Sequence, residues 1–341
     1  SNSVTASSRR ASGSSAATAG AMTSDSAVGS RIDVAVRQEF DFPTVYHLQR
    51  QLAAVRDSSA EYQYRYGRQQ LLHAAKQTCI RLIYGNALVA LRRADADRAR
   101  QLSAAYNKML QQGNANQLEA NRTRLSLTTA EAALAEAEVE RDRCLAERQT
   151  LNGGVPVPFD CAVYPSEPLP TDTAAWLSLD PSLAAVRSES DIAQRTVRLI
   201  RAQTLPRWLV GYMSEFVEGN TFQGVTFGLS LPLWQHAGRV RQAQLSAQAL
   251  QTQADAQCQS LSTKRQAQLQ EAHRLAALAV QIDSTLPTTD ADLLNRAFLA
   301  GELPLTDYLL EQSLQTSACV SRLAILRDLH LIIAELNAYK L

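Results

Sequence analysis

Two hydrophobic patterns divide this chain. From Arg31 to Phe42 the residues alternate, with Ile32, Val34, Val36, Phe40 and Phe42 on one face, interrupted by Gln38, and Asp33, Arg37, Glu39 and Asp41 on the other, with Ala35 among them. A period of two over a dozen residues predicts a strand, and Pro43, which cannot donate to a ladder, ends it. The period then changes to three and four. From Thr44 to Gln112 there is no proline, good helix formers dominate, and apolar residues recur at Ile83, Ala87, Ala90, Ala94, Leu102, Ala105 and Met109. Such a helix would span about 100 Å at roughly 1.5 Å per residue, far more than a compact domain needs. Gly113-Asn114 predicts a left-handed stop. A second helix follows to about Leu151, with Leu118, Leu125, Ala132, Val139 and Ala146 seven apart, the spacing of a coiled-coil seam. Two helices joined by so short a connection lie antiparallel.

Residues 152–180 are rich in proline and read as a linker. Asp180-Pro181 starts a helix over 181–206. Alternation returns in 207–232, with Trp208, Val210, Tyr212 and Phe216, then Val225, Phe227, Leu229 and Leu231, around a turn at Glu218-Gly219-Asn220. Pro232 ends that hairpin. Helical pattern fills 233–341, broken at Leu286-Pro287 and Gly301. Residues 1–30, rich in Ser, Ala and Gly, predict a poorly ordered or truncated segment.

The halves repeat each other at a spacing of about 189 residues. Val36, Phe40, Phe42 and Pro43 match Val225, Leu229, Leu231 and Pro232, and Asn107–Gly113 matches Asn295–Gly301. Beyond the glycines, Glu119 matches Asp307 and Glu147 matches Glu335. The fold class expected is therefore mainly α: long antiparallel coiled-coil helices in two duplicated halves (a first hairpin over 44–151 and a second over 233–341), plus short strands at 31–43 and 207–232.

Composition narrows the function. Lys+Arg 34 against Asp+Glu 33 leaves a net charge of +1, which removes the electrostatic case for nucleic acid. The five cysteines and five histidines show no ligand spacing, so no metal site and no cofactor is expected. Cys144 and Cys161 flank the linker and could pair in an oxidising compartment, with free buried thiols the expectation. No nucleophile–base constellation or phosphate loop points to an enzyme. Strands of about ten residues with one apolar face have the length that crosses an outer membrane, and their polar face would line water. One chain offers too few strands to close a barrel, and open edges cannot sit in lipid, so several copies would share one.

The repeated strand–Pro–long helix–Gly turn–helix resembles the TolC-like outer-membrane efflux channel family. Residues 224–244 (GVTFGLSLPLWQHAGRVRQAQ) are similar to that family's last strand entering its long helix, and residues 40–53 (FDFPTVYHLQRQLA) to the earlier copy. The wording is nearest the heavy-metal and cation efflux branch. The resemblance implies a homotrimer whose strands form an outer-membrane barrel in lipid. Its helices would form a periplasmic tunnel docked by an adaptor protein and an inner-membrane pump. Transport through it would be passive, of metal cations or drugs that the pump delivers. The family's first half opens with a helix and strand like 181–217. Only residues 1–30 precede Arg31 here, so that region would be missing or rewritten, and the lipidated N-terminal cysteine of some members is absent.

By the same resemblance, Gly113 and Gly301 stand at the tips that meet the adaptor, with Gln111, Gln112, Asn114, Glu302, Leu303 and Pro304 exposed around them. Asp307 takes the place of an acid at the closing constriction, where three copies would make a carboxylate ring attractive to cations. Glu119 is its counterpart in the first half, suited to interhelical pairing. A second acid one turn on, present in some members, is Leu310 here. Two other classes remain open on the residues alone: a periplasmic adaptor, which would carry a single hairpin, and a coiled-coil scaffold, which would need no apolar-faced strands.

Overall fold

The computed structural model describes residues 17–26, 29–165, 167–170, 176–217, 220–230, 237–285 and 290–341. The chain divides into two compact units, Ser1–Tyr64 with Ser182–Cys258 and Arg65–Pro181 with Gln259–Leu341. Two helices run from one unit into the other: α1, Pro43–Gln111, and α5, Ala237–Thr285. No described helix is long and apolar enough to cross a membrane.

The first unit holds a four-stranded antiparallel meander in the order β1 (Ala17–Ser26), β2 (Gly29–Phe40), β3 (Arg207–Val217) and β4 (Asn220–Ser230). Strand β1 corrects the expectation for residues 1–30. Its residues pair one-for-one with β2, from Ala17 opposite Gln38 to Ser26 opposite Gly29. The sequence ATAGAMTSDS has too little apolar contrast to announce a strand, and the neighbouring ladder decides its conformation. The expected turn at Glu218-Gly219, the stop at Pro232 and the break at Leu286-Pro287 lie outside the described residues.

Asp41 and Phe42 link β2 to α1, which begins at Pro43, where the missing N–H costs nothing. Asp41 is buried against Arg207 at 3.1 Å, and its backbone N–H donates to Tyr46 Oη at 3.3 Å. This pins the end of β2 to the start of β3. Helix α4, Pro181–Ala202, joins α5 through Ser190 Oγ donating to Gln251 at 2.8 Å, and α1 through Ser188 and Ser59 at 3.0 Å.

The second unit is built on α1 from Arg65 onward, on α2 (Gln117–Leu151), α6 (Asp290–Leu299) and α7 (Leu305–Leu336), and on α5 from Gln259 onward. A one-turn helix α3, Trp176–Leu179, lies beside the 3-10 turn Ala338–Lys340. Helix α1 buries Leu82, Val89, Ala96 and Ser103, seven apart, with Thr78, Gly85 and Ala99 on the intervening turns. Facing them, α2 buries Ala120, Thr123, Ala137 and Cys144. Ion pairs flank this seam: Arg100–Glu131 at 3.0 Å, Arg93–Glu138 at 2.7 Å and Arg81–Glu147 at 3.5 Å. The heptad period holds, but its phase differs from the expected one. Leu125 and Val139 of the predicted seam are 68% and 69% exposed, and Leu118 is exposed too. The seam uses small residues because the helices approach closely: a Cβ on Gly85 would stand 3.4 Å from Arg141 Cβ.

Candidate functional site: a two-faced sheet and paired helix tips

Residues directly opposite one another in a sheet share a face. The register stacks Phe40, Trp208 and Leu229 in one row, Gln38, Val210 and Phe227 in the next, and Val36, Tyr212 and Val225 in a third. Val36, Phe40, Trp208, Val210, Tyr212, Val225, Phe227 and Leu229 are all exposed, Val225 to 63%. An exposed aromatic and aliphatic face of this extent marks a surface suited to packing against another protein or a membrane. The opposite face carries Arg37, Gly211 and Thr226 in one row and Glu39, Leu209 and Gly228 in another, with Ala35, Met213 and Gly224 beyond. It is mainly small, polar or charged. Gly211 sits in close packing: a Cβ there would lie 3.2 Å from Arg37 Cγ and 3.3 Å from the Val36 carbonyl oxygen.

In the second unit the two predicted tips share one backbone design. Gly113 has φ +76° and Gly301 has φ +78°, values that L side chains rarely adopt. At the first tip the Gly113 N–H donates to the Leu110 carbonyl (3.1 Å) and the Asn114 N–H to Met109 (2.9 Å). At the second, Gly301 donates to Phe298 (3.0 Å) and Glu302 to Ala297 (3.0 Å). Both are Schellman stops, and they satisfy carbonyls that the helix end would leave bare. Gln111, Gln112, Asn114, Glu302 and Pro304 are exposed. Leu303 is half-buried rather than exposed, as is Ala115 at the same step of the first tip.

The acids beyond the glycines part company. Each is the third residue of its helix, Glu119 in α2 and Asp307 in α7. Glu119 accepts the Asn116 backbone N–H at 2.9 Å while Asn116 Oδ1 accepts the Leu118 N–H at 3.0 Å, a capping box. The structure thus gives Glu119 a structural task at its own helix start. In the second tip the cap residue is Pro304, which has no N–H to offer, and Asp307 remains exposed. The signal that separates them, Asn against Pro three residues earlier, was readable in the sequence.

The two hairpins meet in this unit. Arg122 Nη1 donates to Thr306 Oγ1 at 3.4 Å, and Thr316 Oγ1 donates to the buried Asp95 carboxylate at 3.2 Å, which Arg98 also holds. A groove of about 560 Å³ runs between α1, α2 and α7, lined by Arg92, Arg122, Leu125 and hydroxyls such as Ser313 and Ser317. Tyr308, stacked on Phe298 with ring centres 4.3 Å apart, donates to Asn295 Oδ1 at 2.6 Å and fastens α7 to α6. All five cysteines are free thiols, and burial raises the pKa of Cys144. Among the described residues no group of His, Cys, Asp and Glu is arranged to hold a metal ion.

No protein-family model and no curated protein sequence matches the chain. Solved structures do. The Campylobacter jejuni CmeC outer-membrane channel aligns at TM-score 0.76 and 14% identity over 96% of this chain and 77% of that one. The outer-membrane channel OprN aligns at 0.80 and 15%, over 96% and 80%. CusC, whose structures describe transmembrane channel formation, aligns at 0.73 and 14%, over 96% and 82%. These likenesses single out no branch, and the heavy-metal assignment gains nothing from them. The chain has the fold of the TolC-like outer-membrane efflux channels.

Proposed function

We propose that the chain is one subunit of a passive outer-membrane export channel. The observation that carries this reading is the sheet, apolar and uncovered on one face and small or charged on the other. A bilayer satisfies the first face and a water-filled bore the second. The edges β1 and β4 need partners, because bare backbone cannot lie in lipid. Strand β1 runs parallel in direction to β3, and β4 to β2. A β4 laid against the β1 of another copy therefore continues the antiparallel alternation. Three copies close a barrel of twelve strands. The exposed Leu118, Leu125 and Val139 stripe of α2 supports the same assembly, since it offers a neighbouring copy a ready apolar seam.

The helices then reach into the periplasm, with Gly113 and Gly301 at the tips. Gln112, Asn114, Glu302 and Leu303 around them meet a periplasmic adaptor, whose inner-membrane pump supplies energy and chooses the cargo. Asp307, freed from capping by Pro304, is the acid of the constriction, and one from each copy makes a ring that favours cations. Glu119 supports its own helix instead. Planar-bilayer recording of the purified chain tests this. Discrete conductance steps with a cation preference that falls in Asp307→Ala are expected. Unchanged preference in that variant would remove the ring, and a protein that stays soluble without detergent and never conducts would remove the channel.

A further inference from the structure

The linker beyond α2 has no regular elements from Val155 to Pro165, so its hold on the second unit rests on side chains. Its first part is held by a guanidinium and a carboxamide. Arg148 donates to the Val157 carbonyl at 2.9 Å and lies over the Phe159 ring at 4.8 Å, and Asn86 Nδ2 donates to the Phe159 and Cys161 carbonyls at 3.1 Å each. Its second part is held differently. Tyr164 stacks on His330 of α7 with ring centres 4.2 Å apart and planes 12° apart, and Glu167 pairs with Lys76 of α1 at 2.7 Å. The Tyr164 hydroxyl is buried without a partner, so the stack and the ion pair carry the attachment.

We propose that Tyr164 and Glu167 form a strap over α1 and α7 that is released when His330 takes up a proton in mildly acidic surroundings. A neutral imidazole lies flat against Tyr164 at little cost. A protonated one places charge in a half-buried site, and the groups facing it divide: Glu167 from the strap favours the charge, Lys76 from α1 opposes it. Burial is the largest influence and lowers the His330 pKa from its ordinary 6.5, so the strapped form prefers the neutral ring. His73, one turn from Lys76 on α1, has its pKa lowered by burial as well, and its Nδ1 is buried without a partner. Acid therefore adds positive charge at two imidazoles that both interact with Lys76.

Hydrogen–deuterium exchange of the purified full chain at pH 7.5 and 5.5 tests the strap. Protection factors over 162–170 should fall at the lower pH, by at most about tenfold, the bound set by one released histidine with a pKa of roughly 6.5. Protection over 155–161 should not change. His330→Phe keeps a flat ring without a titrating nitrogen and should hold the strap at both pH values. His330→Gln should leave it open at both. An acid response that persists in His330→Phe, or one equally large in 155–161, would overturn the proposal, as would no response at all.

Discussion

Val225 and Thr226 are neighbours on β4 that face opposite ways, which makes them a paired test of the membrane reading. Strand β4 has 11 residues, about 36 Å at roughly 3.3 Å per residue. Tilted by about 40°, it covers close to 28 Å, enough for an apolar band about 25 Å tall. Val225 is the sixth of its residues, at the middle of that band, in the row with Val36 and Tyr212. An arginine there would sit at the midplane and cost about 2–4 kcal/mol per subunit, and three times that for a trimer. Thr226→Arg points to the other face, beside Gly211, where water is available, and should cost well under 1 kcal/mol by the ordinary range for surface changes. The assay is refolding of each variant into lipid vesicles, read by resistance to urea and by the gel mobility of the unheated channel. Equal behaviour of the two variants would refute the assignment of faces. So would a neutral Val225→Arg, because a solvent-exposed valine tolerates that change easily.

Three further predictions concern the helices. Asn116→Ala removes the side-chain half of the capping box, leaving the backbone N–H bond to Glu119, and should cost about 1 kcal/mol in the stability of the first hairpin, while Pro304→Ala, with no side-chain cap to lose, should cost much less; thermal melts of the two variants compare them. Gly301→Ala forces an L side chain to φ +78° and should destabilise the second tip by about 1–2 kcal/mol, seen as faster amide exchange over 296–304. Burial holds the His73 pKa below 6.5, with Glu335 opposing and Lys76 and Lys264 assisting. A histidine whose folded pKa is lowered gives its full stabilisation above the unfolded pKa and loses it as pH falls through 6.5 toward the folded value. Melting temperature should therefore drop between pH 7 and 5.5, and His73→Gln should reduce that drop.

Much of the fold was written in periodicity and punctuation. The alternation around Val36 and around Val225 marks β2 and β4, and the long proline-free run after Pro43 marks α1. Gly113 and Gly301 mark the two stops, because a left-handed residue is a local requirement that composition reveals. What the sequence hid depends on neighbours. Strand β1 has almost no apolar contrast, and only pairing with β2 makes it a strand. In α2 the eye follows Leu118, Leu125 and Val139, yet the hairpin closes on Thr123, Ala137 and Cys144 because close approach rewards small side chains. The larger stripe is left exposed among the described residues. The difference between Glu119 and Asp307 was legible once the capping residue, Asn116 or Pro304, was read together with the acid.

The central claim is that copies of this chain complete one another in a membrane. Sedimentation of the detergent-extracted protein, with bound detergent subtracted, measures this directly. The account predicts a single species of three chains, about 112 kDa from 37.3 kDa each, that precipitates when detergent is withdrawn. A detergent-free species of one chain that remains in solution would contradict it.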